Sequence, residues 1–150
     1  MNKNKIYLGS DHAGFEAKKE IEKILTKLDY EFEDLGTNNS KDSVDYPDYA
    51  KLVCKKVLEI KDSFGILICG SGAGMQIAAN KINGIRAVFC PDIYSAKMAR
   101  FDNDANVLTL RSREFNHNNY ENIIKTFIQT SFSNEKRHTN RIEKLKLLEK

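Results

Sequence analysis

Hydrophobic and polar residues alternate along this chain with two different periods, and the change of period predicts the order of its elements. Short, nearly continuous apolar runs are typical of strands that are buried on both faces of a sheet. These runs, together with one segment that alternates apolar and polar residues, predict five strands, at residues 6–8, 30–35, 64–69, 85–90 and 106–110.

Between the strands, apolar residues recur every three or four positions, which predicts amphipathic helices. Helices are predicted at 15–28, after Pro47, from the 70–74 turn to about 83, at 94–100, around 120–128 and from about 138 to 150. The helix after Pro47 carries the apolar stripe Ala50, Val53, Cys54, Val57 and Leu58, and the last helix carries Ile142, Leu145 and Leu148.

Strands that alternate with helices form βαβ units, and such units build a parallel sheet with helices on both faces. We therefore predict an α/β fold, a three-layer Rossmann-like α/β/α sandwich with a five-stranded parallel sheet. The length of 150 residues is that of one domain. Because no repeat or linker interrupts residues 1–150, we expect a single domain.

Composition and charge exclude several classes of protein. No apolar stretch is long enough to span a membrane, and the polar residues 1–5 predict no secretory leader. Cys54, Cys69 and Cys90 form no regular framework, which favours a reducing cytoplasm, and no metal-binding motif is present. Residues 135–150 carry the whole net charge of +3. This is too little for binding nucleic acid, but it indicates an anion near the C-terminus.

The strongest local signal follows the third strand, because ligands of open α/β sheets bind outside the carboxyl ends of strands. There the chain reads Cys69-Gly70-Ser71-Gly72-Ala73-Gly74. The glycines let backbone N–H groups approach an anion, and the helix that follows adds partial positive charge. These groups would favour a thiolate at Cys69, which is a nucleophile or a base. The alternative is an inert buried cysteine.

This loop does not match three well-known glycine-loop patterns. A P-loop requires GxxxxGK[ST], which is absent from the chain. Met75 stands where a dinucleotide-binding GxGxxG loop requires its third glycine. The same Met75 stands where the loop of a cysteine phosphatase requires its arginine.

Two further groups of residues suggest a polar, phosphorylated ligand. Asp11 and His12 follow the first strand, where they would bind sugar hydroxyls or move protons, although Asp11 alone is also typical of a helix cap. Arg137 and Arg141 are four residues apart, so on a helix they face one way and suit a phosphate. A solvated basic face is the alternative for this pair.

Taken in order, these segments resemble the type B ribose-5-phosphate isomerases of the ribose/galactose isomerase family. The resemblance covers nearly the whole chain. It rests on residues 9–14 (GSDHAG), 45–50 (DYPDYA), 65–72 (GILICGSG), 77–81 (IAANK), 84–87 (GIRA), 94–96 (YSA), 103–108 (NDANVL) and Arg137, His138 and Arg141.

The resemblance implies a cofactor-free enzyme that interconverts ribose 5-phosphate and ribulose 5-phosphate through a cis-enediolate, in the non-oxidative branch of the pentose phosphate pathway. Cys69 stands at the position of the cysteine base of one branch, and Met75 at that of the glutamate base of another. The remaining matches are an oxyanion loop (Gly70, Ser71, Gly72, Ala73, Gly74), sugar-binding residues (Asp11, His12, Asn103) and phosphate-binding residues (Arg113, Arg137, Arg141), with His138 beside them. The C-terminal arginines of the family reach a neighbouring subunit, which implies a homodimer and leaves a tetramer open.

One departure concerns the opening of the sugar ring. The family commonly has a histidine where this chain has Asp102, so a protonated Asp102, His12 or His138 would have to supply the proton, or the ring would have to open unassisted. Three alternatives remain open at this point: a non-catalytic sugar-phosphate-binding module, an isomerase of a six-carbon sugar phosphate such as allose or galactose 6-phosphate, and a thiol-dependent phosphatase.

Overall fold

A computed structural model describes residues 4–150, which form alternating strands and helices. The strands are β1 (Ile6–Ser10), β2 (Phe32–Asp34), β3 (Phe64–Cys69), β4 (Ala87–Phe89) and β5 (Val107–Arg111). The helices are α1 (Phe15–Lys27), α2 (Tyr46–Glu59), α3 (Ala73–Asn80), α4 (Ile93–Asn103), α5 (Tyr120–Gln129) and α6 (Lys136–Lys146), with a short 3-10 turn at His117–Asn119.

The five strands form one parallel sheet in the order β2-β1-β3-β5-β4. One face is covered by α1, α4 and α5, and its core includes Ile66, Ile68 and Phe127. The other face is covered by α2 and α3, and its core includes Val53 and Leu67. β3 is buried at every position because it lies at the centre of the sheet between two helical layers. The predicted sandwich is confirmed.

Several predicted boundaries were wrong, for local reasons. α3 ends at Asn80 rather than 83, because the Asn80 side chain turns to bond both the N–H and the C=O of Ala87, each at 2.8 Å. α4 continues to Asn103 rather than 100, and Asp104 ends it in the left-handed conformation at φ 46°. The last helix is Lys136–Lys146 rather than 138–150. β2 and β4 are shorter than predicted.

Two predicted apolar stripes are not fully buried. Leu58 of α2 is 48% exposed. Of the three apolar residues predicted for the last helix, Ile142 is buried, whereas Leu145 is 44% exposed and Leu148, beyond the end of α6, is 76% exposed. A single chain therefore exposes apolar surface along α2 and near the C-terminal end of α6. No helix within residues 4–150 is both long and apolar enough to cross a membrane.

Candidate active site

The fold places a crevice between the carboxyl ends of β1 and β3. From β1 the chain crosses by α1 to β2 on one side, and from β3 it crosses by α3 toward β4 on the other side, so the connections diverge here. Such a switch point is where open α/β sheets bind ligands. The loops that follow β1, β3 and β5 meet at this edge because these three strands are neighbours.

Cys69 lies at the floor of this crevice, within a loop of backbone amides. Its side chain is buried, and its Sγ accepts a hydrogen bond from the N–H of Gly72 at 3.1 Å. Gly72 has a φ of +79°, and a Cβ there would come within 2.7 Å of the Phe89 ring. Only glycine therefore lets this amide turn toward the sulfur.

The other two thiols differ from Cys69. Cys54 and Cys90 are buried in the two cores, and burial raises the pKa of each to about 12. Both therefore stay protonated at neutral pH and pack as small apolar residues.

Asp11 and His12 form the opposite wall of the crevice. An oxygen of the Asp11 carboxylate accepts the N–H of Gly14 at 3.0 Å, so this residue does cap the turn before α1. The Nδ1 of His12 accepts the N–H of Val44 at 3.2 Å, which leaves the ring proton on Nε2 of the neutral imidazole. Gly14 lets this loop approach β3, since a Cβ there would lie 2.5 Å from the oxygen of Ile68.

Arg113 reaches the same edge from β5. Its N–H donates to the oxygen of Gly70 at 3.1 Å, and its guanidinium lies over that glycine, where a Cβ would come within 3.0 Å of Nη1. Ser112 ties the loops together, because its Oγ donates to the oxygen of Ala13 at 2.9 Å and its N–H to that of Cys69 at 3.0 Å. We call Asp11, His12, Cys69–Gly74 and Arg113 the carboxyl-edge cluster.

The remaining candidate residues lie at the opposite end of the sheet. α4 runs back from the carboxyl end of β4, and Arg86, directly before β4, donates to the oxygens of Asn103 and Asp104 at 3.0 and 2.8 Å. Eleven helical residues cover about 16 Å, so the end of α4 is about that far from the carboxyl edge. α6 packs against α4 at this end. We call Asp102, Asn103, Arg137, His138 and Arg141 the amino-end cluster.

Within the amino-end cluster, Asp102 and His138 form a pair. The Nε2 of His138 lies 3.5 Å from Oδ1 of Asp102, and its Nδ1 lies 2.6 Å from Oγ of Ser133. His138 is 2% exposed, whereas the Asp102 side chain is 40% exposed, so Asp102 is the outward member. Arg137 donates to Glu135 at 2.8 Å, and this hydrogen bond lowers the pKa of the Glu135 carboxyl.

One chain thus brings together the residues of the carboxyl-edge cluster and separates them from those of the amino-end cluster. Sequence reasoning missed the residues that hold the site in place: Val44, which binds His12; Tyr46, whose ring would lie 2.8 Å from a Cβ on Gly74; and Ser112. Val44 has no chemical signal because it acts through its backbone. Tyr46 and Ser112 lie in matched or adjacent segments and could have been singled out. Within residues 4–150, no group of His, Cys, Asp and Glu is placed to hold a metal ion.

A doubly wound α/β sheet that presents a thiol, an imidazole, a carboxylate and an amide loop at its switch point defines a class of small-molecule enzyme. The sequence profile of the ribose/galactose isomerase family matches residues 6–145, and the chain belongs to this family. Ribose-5-phosphate isomerase B of Escherichia coli (strain K12) is 41% identical over 145 residues, which cover 97% of this chain and 96% of that protein.

Solved structures of similar proteins share the fold over the full length. The type B ribose 5-phosphate isomerase of Trypanosoma brucei superposes with a TM-score of 0.94 at 44% identity, covering 99% of this chain and 100% of that one. The ribose 5-phosphate isomerase of Thermotoga maritima gives 0.93 at 43% identity, covering 97% and 99%. The chain is therefore an isomerase of this family.

Proposed function

We propose that this protein interconverts ribose 5-phosphate and ribulose 5-phosphate through a cis-enediolate, with Cys69 as the base. The observation that carries the proposal is the hydrogen bond from the Gly72 N–H to Cys69 Sγ, in the loop after β3 that lies beside the loop carrying Asp11 and His12. The names of the E. coli and T. brucei relatives support the choice of sugar phosphate.

The isomerisation needs one base and one place for negative charge. The Cys69 thiolate takes the proton from C2 of the open-chain aldose, the C1=C2 double bond forms, and the aldehyde oxygen takes up the electron pair. The amides of residues 70–74 stabilise this oxyanion. The proton then returns from Cys69 to C1, while the proton of the C2 hydroxyl passes to O1, so that C2 becomes the ketone and C1 carries the new hydroxyl. Asp11 and His12 bind the sugar hydroxyls, with Nε2–H of His12 as a donor.

A second copy of the chain is required to bring the two clusters together, and we propose a homodimer. The apolar surface between α2 and α3 forms a groove of about 720 Å³ lined by Tyr46, Leu58 and Ile77, among others. Tyr46 packs on Gly74, so a chain docked in this groove lies beside the amide loop. We propose that the partner's amino-end cluster reaches the site there, with Arg137 and Arg141 binding the phosphate opposite Arg113.

Asp102 is then the group that meets the sugar ring. Because Nε2 of His138 faces a carboxylate, it carries the ring proton, and this donor orients Asp102. We propose that one Asp102 oxygen takes the proton from O1, that C1=O forms as the C1–O4 bond breaks, and that the carboxyl group gives the same proton to O4. Asp102 ends as it began, and the sugar is open.

Three buried, unpaired cysteines support a reducing compartment such as the cytoplasm.

Proton NMR of ribose 5-phosphate with the protein in D2O tests the function. We expect ribulose 5-phosphate that carries deuterium at C1, because a thiolate base exchanges its proton with solvent. Binding of ribose 5-phosphate without conversion or exchange would instead support the sugar-phosphate-binding module. Faster conversion of allose or galactose 6-phosphate would support a six-carbon isomerase, and release of inorganic phosphate would support the phosphatase.

A further inference from the structure

His117 lies outside both clusters, yet it contacts the segment that carries Arg113. Its Nε2 is 2.7 Å from the oxygen of Ser112, and its Nδ1 is 3.1 Å from Oε2 of Glu20 on α1. A carbonyl oxygen and a carboxylate oxygen both accept hydrogen bonds. A neutral imidazole can donate to only one of them, whereas a ring with protons on both nitrogens can donate to both.

The segment that His117 holds is short and strained. Glu114 has a φ of +51°, a left-handed conformation that costs a residue other than glycine about 1–2 kcal/mol. Ser112 and Arg113 also bind the loops after β1 and β3, so any movement of this turn would move the guanidinium over Gly70. The turn therefore needs an anchor on its outer side.

His117 and Tyr120 provide that anchor together. Their rings stack at 4.8 Å between centroids, and the Tyr120 hydroxyl donates to the oxygen of Arg111 at 2.7 Å. Burial, and then the charge of Glu20, raise the pKa of Tyr120, so its hydroxyl stays a donor. The titratable groups that face His117 are Glu20 from α1 and Tyr120 from α5.

We propose that His117 is a positioning residue for Arg113. Its protonated form, held by Glu20, donates to the Ser112 carbonyl and so keeps the Arg113 guanidinium in place to bind an anion. A protonated imidazole donates a stronger hydrogen bond than a neutral one. When the proton leaves Nδ1, its lone pair faces the Glu20 carboxylate and that contact is lost. The inference rests on the proposed function only for the identity of the anion as the phosphate of a sugar phosphate.

Sulfate binding to the whole protein, measured by calorimetry at pH 6 and pH 8, tests this. Sulfate does not change its charge over this range, whereas a histidine side chain does. We expect His117→Ala to weaken sulfate binding about tenfold at pH 6 and to raise KM for ribose 5-phosphate similarly, with kcat changed less than about twofold. His117→Gln keeps a donor for Ser112 and should restore most of the affinity, without the part of the pH dependence that His117 contributes.

Glu20→Gln separates this effect from any other source of pH dependence in sulfate binding. We expect it to remove part of the loss of sulfate affinity between pH 6 and pH 8, whereas Glu121→Gln, which alters an exposed ion pair with Lys27 on the same helices, should match the unaltered protein. Equal sulfate affinity in His117→Ala and the unaltered protein would overturn the proposal. So would a pH dependence that Glu20→Gln and His117→Gln leave intact.

Sulfate binding does not depend on turnover, so the two proposals can fail separately. If ribose 5-phosphate is not converted but sulfate affinity follows His117 as described, the positioning role stands and the substrate is wrong. If ribose 5-phosphate is converted but sulfate affinity does not change in the His117 variants, the proposed substrate stands and the positioning role is wrong.

Discussion

The two ends of the sheet differ in how much of a site a single chain builds. At the carboxyl edge, neighbouring loops bind one another directly, as in the hydrogen bonds from Asp11 N–H to Ile68 (3.3 Å) and from Arg113 N–H to Gly70 (3.1 Å). At the amino end, the charged groups project from the helices α4 and α6, and Arg137 and Arg141 are exposed. The surroundings of the proposed base are therefore complete within one chain, whereas the groups proposed for ring opening and phosphate binding would come from the second chain of the proposed homodimer.

This difference makes the two sets of functions separable by mutation. Changes at the carboxyl edge should stop the chemistry, and changes at the amino end should weaken substrate binding or ring opening. The expected effects differ in size as well as in kind.

The largest effect is expected for Cys69→Ala. Loss of a general base typically costs a factor of about 100 to 10,000, so kcat should fall by about this much while ribose 5-phosphate still binds. Cys90→Ala is the matched control, because Cys90 is a buried thiol in the core on the other face of the sheet from Cys69. Stopped turnover in Cys69→Ala with calorimetric binding intact would support the base. A near-normal rate would exclude Cys69.

The second largest effect is expected for Arg137 and Arg141, the arginines proposed to bind the phosphate. Arg137→Ala and Arg141→Ala should each raise KM about 10- to 100-fold with little change in kcat, because a charge-assisted hydrogen bond contributes about 1.5–3 kcal/mol. Lys144→Ala, on the same helix, should leave KM unchanged. If neither arginine variant alters KM in steady-state kinetics, the phosphate site lies elsewhere.

A smaller loss of activity is expected for Asp102→Asn, and it should be confined to the ring-opening step. Ribulose 5-phosphate cannot close a furanose ring because its O5 carries the phosphate, so exchange of its C1 proton in D2O does not need ring opening. We expect Asp102→Asn to slow conversion of ribose 5-phosphate about tenfold or more, since a proton-transfer group is lost, yet to leave the NMR exchange rate unchanged. Equal losses in both reactions would contradict ring opening by Asp102.

Mixed dimers test the division between chains directly. Cys69→Ala and Arg141→Ala disable opposite clusters, so a mixed dimer has one site with both changes and one with neither. At low substrate concentration Cys69→Ala is inactive and Arg141→Ala is about 10- to 100-fold slower, and after the two variants are mixed and refolded together, about a quarter of the normal activity should return. No recovery, with mixed dimers shown by mass spectrometry, would mean that each site belongs to one chain.

The smallest effect concerns stability at the edge of the sheet beside the active site. Partial burial pushes the pKa of Asp34 up, but hydrogen bonds from Lys18 and from the N–H of Gly36 hold it below its usual range. Because the folded pKa is lowered, this carboxylate stabilises the fold above its unfolded pKa of about 4, and the contribution is lost as the pH falls through the folded pKa. Asp34→Asn should therefore reduce the acid dependence of the melting temperature, with Asp42→Asn as an exposed control.

The sequence predicts the carboxyl edge well, because the loops at the carboxyl ends of parallel strands meet at the same edge of the sheet, where open α/β sheets bind ligands. β3 has both predicted bounds, and every polar group after β1, β3 and β5 meets at this edge. The loop at 36–45 has no periodicity, so its contact between Val44 and His12 could not be predicted.

The amino end was less predictable for a different reason. The apolar pattern of α4 fades after Arg100, although the helix continues to Asn103. Because the predicted helix ends at residue 100, Asp102 and Asn103 fall outside it, and the sequence does not predict which way they face. Their position opposite Cys69 follows only from the path of α4 back across the sheet. The contact between Asp102 and His138 joins residues that no local pattern relates.

Lys18 shows how far the site extends into residues that look ordinary. In the sequence it is one of several lysines on an amphipathic helix, yet its side chain is fully buried and bonded to Asp34. Asp34 binds the N–H of Gly36 at 2.9 Å, and the oxygen of Gly36 binds the N–H of Ser10 at 2.8 Å, one residue before Asp11. For protein engineering, this means that charge-reversal or surface-entropy schemes that select lysines by sequence should leave Lys18 unchanged. A substitution there would loosen the wall of the crevice from behind.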